Sequence, residues 1–387
     1  MDFALTESQE LIKKEVGALA RQFSLDYWLD KDDRAEYPHE FVKAFADNGW
    51  LGIMIPEAYG GAGLGVTEAA LMLHEICASG AGTSGASPIH FYVFPPTPII
   101  KFGTDAMKQK YLPRIASGEI VMAFGVTEPN AGTDTSRIQT RAVRQGNRWI
   151  VNGRKVWTTN AQHANKILLL ARTADRDPAK PLRGMTLFFA DLDRKAISVR
   201  LIHKLGRAAV DSNEISIENL EVSDDDVVGN VGDGFYHLLD SLNPERIVVG
   251  IEAVGIGRAA LDRAVQYAKE RIVFERPIGQ NQAIAHPLAQ AAAQLDAAEV
   301  MCLKAAWLFD HGRPCGREAN TAKLISADAG FNACDAALQT FGGFGYAKEF
   351  YVERLWREVR LYKIAPVSQQ MALNYLAEHV LGLPRSY

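Results

Sequence analysis

The spacing of apolar residues changes twice along this chain, and these changes constrain its fold more than any other feature. From Thr6 to Cys77 the apolar residues recur at helical spacing, with Pro- and Gly-rich segments between the helices. After Met122 the pattern becomes that of short strands, in the segments KILLLAR, MTLFFAD and NEISIENLEV. Helical spacing returns at Gly232 and continues to Leu381, with alanine-rich stretches that are typical of a helical bundle.

This order predicts an α+β protein of several domains, since 387 residues exceed what one hydrophobic core normally supports. We expect an N-terminal helical domain over residues 1–118, a middle β domain over residues 119–232 and a C-terminal four-helix bundle over residues 233–387. In the middle domain, WIVNGRKVW holds two short apolar runs around Asn152 and Gly153, a dipeptide that predicts a β-hairpin turn.

Composition and charge exclude several classes of protein. A formal net charge of -4 provides no basic field for nucleic acid, and no uninterrupted apolar stretch is long enough to span a membrane. The start, MDFALTESQELIKKEV, has the pattern of neither a signal nor a transit peptide. The four cysteines lack metal-ligand or disulfide-framework spacing. We therefore expect a soluble, cytoplasmic protein without a structural metal.

Two polar motifs lie in the middle region, AFGVTEPNAGTD at residues 123–134 and VWTTNA at residues 156–161. Taken alone, the first is typical of a surface loop, and a tryptophan such as Trp157 is usually a core residue. Together and in this order, they resemble the motifs of the acyl-CoA dehydrogenases, flavoproteins with a helical domain, a β domain and a helical bundle. The resemblance covers the whole chain.

The resemblance implies that the first motif lines an FAD cofactor through Phe124, Val126 and Thr127. Val126 and Thr127 match the positions at which a backbone amide and a hydroxyl meet the pyrimidine edge of the flavin ring. Thr133 matches a hydroxyl that contacts the pantetheine or phosphate part of the acyl-CoA substrate.

In the second motif, the resemblance implies that Trp157 packs on the flavin and that the hydroxyl of Thr159 lies near flavin N5, the atom that accepts hydride. A neutral hydroxyl suits that position, because it can donate a hydrogen bond to N5 and stabilise the reduced ring without adding a charge.

The segment RIVFERPIGQNQAI, residues 271–284, resembles a family motif that reaches the cofactor of a neighbouring subunit. By resemblance, Arg271 pairs with the FAD pyrophosphate, Phe274 packs near the adenine, and Gln282 also contacts the cofactor. The glycine that usually follows this Phe in the family is Glu275 here.

LQTFGGFGY, residues 338–346, supplies the other half of the implied pyrophosphate site with Gln339, Gly342 and Gly343. Backbone without side chains can approach phosphate oxygens closely at such glycines. If FAD bridges two chains in this way, the protein is at least a dimer, and the resemblance implies a homotetramer built as a dimer of dimers.

The segment LNPERIVVG, residues 242–250, allows two interpretations. Asn243 could cap a helix that has Pro244 at its first position, and Glu245 would then only complement the helix dipole. Glu245 could instead be a catalytic base held in a pocket.

The segment LYKIAPVSQQ, residues 361–370, bears on that choice. Many relatives carry the catalytic glutamate here, but this chain has Pro366, while Ser368 and Gln370 match the Thr and Gln that follow and that contact the cofactor. Isovaleryl-CoA and long-chain acyl-CoA dehydrogenases place the glutamate before an Arg on the helix that opens the C-terminal domain. Glu245, followed by Arg246 as a substrate contact, matches that position, and we expect Glu245 to be the base.

The implied reaction requires a carboxylate in a dry pocket, where desolvation raises its basicity for removal of the substrate α proton. Glu252 lies seven residues further along the same helix and is the reserve candidate. Asp240 and Asp262 are expected to face solvent.

Pro366 also departs from the family where a backbone N–H helps to polarise the thioester carbonyl, because proline has no N–H. Either Val367 or Ala365 donates instead, or a ribityl hydroxyl of the flavin carries more of this role.

We therefore expect FAD-dependent oxidation of a saturated acyl-CoA to the trans-2-enoyl-CoA, with electrons passed to an electron-transfer flavoprotein. The aromatic segment HFYVFPPTPII, residues 90–100, lies where relatives shape the acyl pocket and favours a short, branched or cyclic acyl group, although its aromatics could also be core. Two alternatives stay open: a relative with an altered reaction, such as an oxidase, a desulfinase or a nitroalkane oxidase, and a flavin-bound but non-catalytic subunit.

Overall fold

The computed structural model describes residues 4–385, apart from the side chain of Ser241. Its N-terminal part is helical, as predicted, and hydroxyl side chains cap three of the helices: Thr6, Ser24 and Thr104 each accept a hydrogen bond from the first turn. The seven helices are α1 Glu7–Ala20, α2 Leu25–Arg34, α3 His39–Asp47, α4 Val66–Ile76, α5 Gly82–Val93, α6 Thr97–Phe102 and α7 Asp105–Ala116.

The middle part is one sheet in which β6, β7, β3, β2, β4, β5 and β8 are neighbours in that order, while β1 pairs in parallel with β4. The three strand segments predicted from the sequence are confirmed as β4, β5 and β7. The strands are β1 Met122–Gly125, β2 Arg141–Gln145, β3 Arg148–Thr159, β4 Lys166–Arg172, β5 Met185–Asp191, β6 Ile197–Leu201, β7 Ser212–Ser223 and β8 Val227–Val228.

The central strands are apolar on both faces because each face meets a different core. Leu168 and Phe189 pack into the core that is shared with the helices, whereas Leu169 and Phe188 pack into a separate core inside the β domain. Side chains alternate between the faces of a strand, so a strand covered on both sides reads as a continuous apolar run.

The predicted hairpin at Asn152 and Gly153 is wrong. Strand β3 continues through both residues, and the chain turns between Gln145 and Arg148 instead. Asn152 accepts a hydrogen bond from the backbone of Asn219 on β7, 2.8 Å away, which explains its place in a strand. A Cβ at Gly153 would lie 2.4 Å from Oγ1 of Thr140, so the glycine allows a close approach of chains rather than a turn.

The C-terminal part contains three long helices, completed by two shorter ones, and its alanine-rich faces are buried against each other as predicted. A two-stranded hairpin joins the first two long helices. These elements are α8 Gly234–Glu270, β9 Ile272–Val273, β10 Arg276–Pro277, α9 Gln282–Asp310, α10 Gly316–Phe341, α11 Val352–Val359 and α12 Gln369–Tyr375.

Helix α8 decides between the two interpretations of Asn243. The helix begins at Gly234 and runs through Pro244, so Asn243 lies inside it and cannot be its N-cap. The side-chain oxygen of Asn243 instead accepts a hydrogen bond from Nη1 of Arg246 at 3.1 Å. The interpretation of Glu245 as a residue of the first helical turn is therefore wrong.

All four cysteines are buried and unbonded to one another. No helix in the described part of the chain is both long and apolar enough to cross a membrane.

Candidate active site

An irregularity in β3 presents the second motif at the edge of the β domain. The register between β3 and β7 shifts between Lys155 and Thr158, and Trp157 adopts a left-handed backbone with φ of 61°. A β-bulge of this kind re-aims side chains, and a bulky residue in that region is strained. The Trp157 side chain is 57% exposed, while Thr158 and Thr159 are both buried. The tryptophan is therefore not a core residue in this chain.

Hydrogen bonds join the bulge to the first motif. The backbone N–H of Val156 donates to the carbonyl of Thr127 at 2.9 Å, and Nζ of Lys155 donates to the carbonyl of Val126 at 3.0 Å. Phe124, on β1 just before these residues, packs edge-on against the ring of Phe94 at 5.0 Å. The two motifs, 29 residues apart at Thr127 and Val156, thus form one surface.

A buried ion pair supports this surface from behind. Nζ of Lys155 lies 2.9 Å from a carboxylate oxygen of Glu128, and Glu128 also accepts hydrogen bonds from the backbone of Gln139 and Thr140. Burial lowers the pKa of Lys155 to about 8, an effect that Glu128 opposes. Lys155 was not among the residues predicted from the sequence, because its partner is 27 residues away and no local pattern marks the pair.

We expect Lys155→Met to lower the free energy of unfolding by about 3–5 kcal/mol, because removal of one partner leaves Glu128 charged and buried. Chemical denaturation at neutral pH measures this. The matched control is the double variant Glu128→Gln/Lys155→Met, which removes both charges and should recover part of the loss. A single variant as stable as the wild type would contradict this account of the surface.

Arg207 contacts the second motif from the opposite side. Its guanidinium donates to the hydroxyls of Ser212 at 2.8 Å, Ser87 at 3.1 Å and Thr159 at 3.4 Å. Burial lowers the pKa of Arg207, and its Nε has no hydrogen-bond partner in the described chain. Sequence reasoning missed Arg207, since its neighbours come from three separate elements. It holds the Thr159 hydroxyl between the β domain and helix α5.

Glu245 is the least satisfied carboxylate of the site. Its residue is 8% exposed, and within residues 4–385 neither carboxylate oxygen has a hydrogen-bond or ion-pair partner. Burial raises the pKa of Glu245 to about 7; the charges of His90 and Arg246 oppose this shift, and that of Glu252 adds to it. A carboxylate that titrates near neutral pH in a dry pocket has the properties of a general base.

Glu252, the reserve candidate, has a different environment. One of its carboxylate oxygens lies 2.9 Å from Nδ1 of His90, and the other accepts a hydrogen bond from the hydroxyl of Tyr362 at 2.7 Å. The sequence did not single out His90 or Tyr362 as partners, because they lie 162 and 110 residues from Glu252. Both oxygens of Glu252 are thus occupied, whereas those of Glu245 are available.

A second cluster of predicted residues lies at the far end of α8. Arg271, Phe274 and Gly343 line a groove of about 690 Å³, and Gln339 lines an adjoining groove between α9 and α10. Gln282 begins α9, and Gly342 opens the 3-10 turn Gly342–Tyr346 with φ of 60°. A Cβ on Gly343 would meet no atom within 4 Å, so the backbone faces open space there.

The tip of the hairpin between α8 and α9 projects away from the chain. Phe274 and Glu275 both have left-handed backbones, with φ of 51° and 68°, as a two-residue hairpin turn of type I′ requires. Glu275 thus occupies a conformation that the family's usual glycine adopts at lower energy. The Phe274 side chain is 93% exposed, which is unusual for a large aromatic residue.

The two clusters lie far apart within one chain. Glu245 and Arg271 are separated by 26 residues of α8, or roughly 39 Å at 1.5 Å per residue. The Arg271 cluster is therefore distant from the Glu245 of its own chain.

The remaining predicted residues are dispersed. Thr133 and Gln370 are exposed, and Arg246 is half-buried beside Asn243. Ser368 caps α12, its hydroxyl accepting a hydrogen bond from the backbone N–H of Met371 at 3.3 Å. This hydrogen bond uses the hydroxyl as an acceptor, and its O–H can still donate to a ligand.

Two backbone N–H groups are predicted to replace the one missing at Pro366, those of Ala365 and Val367, and they differ in their hydrogen bonding. The backbone N–H of Ala365 donates to the carbonyl of Leu361 at 2.9 Å. Among the described residues, the N–H of Val367 has no acceptor. Of these two groups, only that of Val367 is available to a ligand.

Comparisons with known proteins agree with this architecture. Three family models match: acyl-CoA dehydrogenase, N-terminal domain, over residues 6–119; the middle domain over residues 123–220; and the C-terminal domain over residues 232–381. The chain belongs to the acyl-CoA dehydrogenase family and is an oxidoreductase of that class. The family resemblance and the fold predicted from the sequence are therefore confirmed.

Individual relatives cover nearly the whole chain. Acyl-CoA dehydrogenase FadE12 of Mycobacterium tuberculosis is 38% identical over 391 residues, which is 100% of this chain and 99% of that protein. The 3-(aryl)acrylate reductase of Clostridium sporogenes is 36% identical over 379 residues, which is 97% of this chain and 99% of that protein. Butyryl-CoA dehydrogenase from Megasphaera elsdenii superposes with a TM-score of 0.93 at 29% identity, covering 98% of this chain and 100% of that chain.

Proposed function

We propose that this protein oxidises a saturated acyl-CoA thioester to the trans-2-enoyl-CoA and that Glu245 removes the substrate α proton. The observation that carries the proposal is the buried Glu245 carboxylate, which has no partner among the described residues and whose pKa is raised by burial to about 7. A carboxylate buried without a partner destabilises a fold, and such groups occur where function requires them.

We propose FAD as the cofactor, bound against Phe124, Val126 and Thr127 and covered by Trp157, with the Thr159 hydroxyl beside it. An orphaned buried atom supports the fit of a polar ring here: Nε of Arg207, whose guanidinium contacts the Thr159 hydroxyl, has no hydrogen-bond partner in residues 4–385. Buried polar atoms normally find partners, so a ligand is expected to meet this group. When bound, the flavin supplies the acceptor for the two electrons and the β hydrogen of the substrate.

We propose that Val367 donates its backbone N–H to the thioester carbonyl in place of Pro366. Such a donor stabilises the negative charge that develops on the carbonyl oxygen as Glu245 removes the proton. Thr133 and Arg246 are proposed contacts of the CoA part, and Ser368 and Gln370 remain proposed cofactor contacts.

We propose that the pyrophosphate half of the FAD site comes from a second copy of the chain, through Arg271, Phe274, Gln282, Gln339, Gly342 and Gly343. The exposed Phe274 and the separation of about 39 Å along α8 support a shared site. The proposed assembly is a homotetramer, a dimer of dimers. An electron-transfer flavoprotein is the proposed acceptor, which would approach at the exposed Trp157, and the proposed location is the cytoplasm.

The acyl group is proposed to be short, branched or cyclic, because aromatic side chains cluster around His90 and Phe124. Phe94 is buried and packs against Phe124, one of the proposed FAD contacts. The rings of Phe91 and Phe94 both lie near the His90 ring. A relative named for an arylacrylate shares 36% of its residues with this chain, which is compatible with a ring in the pocket.

An altered reaction is the second candidate function, since Pro366 removes an N–H that the family uses. An oxidase would differ from a dehydrogenase in the rate at which oxygen consumes the reduced flavin. Stopped-flow reoxidation in air-saturated buffer separates the two activities.

The test of the proposed function is anaerobic bleaching of the flavin absorbance by a panel of straight, branched and cyclic acyl-CoAs. We expect one class to bleach the flavin of the purified protein, with formation of the enoyl-CoA detected by mass spectrometry. If no acyl-CoA bleaches a fully loaded flavin, acyl-CoA oxidation is the wrong reaction, and a non-catalytic subunit becomes the better description.

The pH dependence tests the role of Glu245 as the base. We expect kcat/KM to be low in acid and to rise with pH through about 7, because only the ionised carboxylate accepts a proton and its pKa is raised to that value. Rates of flavin reduction from about pH 5 to about pH 9 give the curve. A flat profile over that range would exclude a base of this pKa.

A further inference from the structure

A buried polar triad lies near Glu245, the proposed base. It consists of His90 on α5, Glu252 on α8 and Tyr362 after α11, which are 7%, 2% and 3% exposed. Glu252 lies 2.9 Å from Nδ1 of His90 and accepts a hydrogen bond from Tyr362 at 2.7 Å. The carboxylate thereby holds the imidazole in one orientation, as carboxylates do for histidines in active sites.

The second ring nitrogen of His90, Nε2, does not contact this carboxylate. Among residues 4–385, Nε2 has neither a hydrogen-bond partner nor an ion-pair partner, and both contacts of the ring with Glu252 use Nδ1. The ring lies close enough to Glu245 for its charge to lower the pKa of that carboxyl. His90 therefore presents an unpaired nitrogen in the neighbourhood of the proposed base.

Two aromatic side chains also lie beside the ring. Phe91 and Phe94 lie with their ring centres 6.2 and 6.0 Å from that of His90. A pocket for a plain hydrocarbon chain needs no histidine, since burying an imidazole with one unpaired nitrogen opposes folding. Cross-linking α5 to α8 accounts for Nδ1 but leaves Nε2 without a role.

Burial lowers the pKa of His90, but Glu252 and the nearby Glu245 outweigh this effect and raise it, which favours the imidazolium form, in which both ring nitrogens are donors. The other ionisable groups around the ring are Arg207, which opposes that charge, and Tyr362, which is bonded to Glu252. The negative charge of Glu252 thus already neutralises the positive charge of the imidazolium. A substrate carboxylate at Nε2 would meet the charge of Glu245, so a neutral oxygen fits better than an anion.

We propose that His90, positioned by Glu252 and Tyr362, donates a hydrogen bond from Nε2 to a neutral oxygen on the acyl group, so that the enzyme selects acyl-CoAs bearing a hydroxyl, ether or carbonyl in the acyl chain. The inference rests on the proposed function, because it names the substrate class of the same site. A pocket built to hydrogen-bond an oxygen discriminates strongly against the analogue that lacks it, whose binding leaves the donor unpaired.

The test compares matched acyl-CoA pairs that differ by one oxygen, hexanoyl-CoA against 6-hydroxyhexanoyl-CoA and 3-phenylpropanoyl-CoA against 3-(4-hydroxyphenyl)propanoyl-CoA. In the FAD-loaded wild type, we expect kcat/KM to favour the oxygenated member of at least one pair by about tenfold or more. His90→Phe should abolish this preference, and His90→Gln, which keeps a donor, should retain part of it.

Binding provides a readout that does not depend on turnover. Spectral titration of Glu245→Gln and of Glu245→Gln/His90→Phe with the same pairs measures affinity alone, and the preference should be present in the first and lost in the second. Equal preference ratios in the two would overturn the role of His90. Preference for an added carboxylate, in adipoyl-CoA over hexanoyl-CoA, would overturn the neutral-oxygen class.

Different results would contradict the proposed dehydrogenase function and the role of His90. If no acyl-CoA reduces the wild-type flavin, the proposed function is wrong and this inference falls with it. If both members of every pair reduce the flavin at equal rates and His90→Phe leaves that ratio unchanged, the enzyme is a dehydrogenase and only the role of His90 is wrong.

Discussion

Glu245→Gln is expected to slow reduction of the flavin by acyl-CoA by about 10²- to 10⁴-fold, the range that a positioned general base contributes. Glutamine preserves the size and hydrogen-bonding shape of the side chain but cannot take the α proton. Glu252 is not expected to substitute, since His90 and Tyr362 occupy its carboxylate oxygens. Rapid-mixing measurements of flavin bleaching give the rate, and the flavin content of the variant gives its loading.

A matched control lies on the same helix. Asp262 is exposed on α8 and belongs to neither cluster, so Asp262→Asn should leave the rate unchanged. If Glu245→Gln carries its full complement of FAD and is reduced as fast as the wild type, another residue is the base. Glu252→Gln would then be the next variant to measure.

Glu245→Gln should also change the melting temperature of the protein. Burial raises the pKa of Glu245 in the folded chain from 4.5 to about 7. The protonated Glu245 side chain tolerates burial better than the charged one. The free energy of unfolding therefore contains a favourable contribution below about pH 4.5, which is lost as pH rises through about 7. Glu245→Gln should therefore melt higher than the wild type at alkaline pH, with the advantage shrinking in acid.

The second large effect concerns the sharing of FAD between chains. Arg271→Glu is expected to weaken FAD binding by about 10- to 100-fold through loss of the charge-assisted hydrogen bond alone, with further loss from repulsion of the pyrophosphate. The purified variant should lack flavin and be inactive. Glu245→Gln is expected to be inactive for another reason, its missing base.

Co-expression of these two inactive chains should restore activity. In a hybrid dimer, the chain with Arg271→Glu keeps its own Glu245 and receives an intact Arg271 from its partner, which completes one of the two sites. Random pairing makes half of the dimers hybrid, so we expect about a quarter of the wild-type activity per chain from a twofold-symmetric dimer.

The alternative arrangement predicts a different result. If each chain holds its FAD alone, no mixture of the two variants gains activity. Arg276→Glu is the matched control, because Arg276 lies on the same hairpin but does not line the groove with Arg271 and Phe274. It should retain flavin and activity, which would separate a local charge effect from loss of the hairpin.

Local patterns account for the successes and errors of the sequence-based predictions. KILLLAR and MTLFFAD are strands as predicted, since a strand covered by two cores is apolar on both faces. NEISIENLEV is also a strand as predicted, and it alternates apolar and polar residues because only one of its faces meets a core. The hairpin at Asn152 and Gly153 failed, because the same dipeptide serves a long-range contact with Asn219 and Thr140. Pro244 suggested a helix start, but α8 has already begun at Gly234.

By itself, the sequence determined the order of the helical and β regions and the motifs that identify the family, because apolar periodicity and motif spacing are written in consecutive residues. Only the tertiary structure decided which carboxylate is left without a partner. Glu245 and Glu252 lie on the same helix with similar local surroundings, yet His90 and Tyr362, from distant parts of the chain, occupy one and not the other. The availability of a buried charge depends on what packs against it, and packing brings together residues that no local pattern relates.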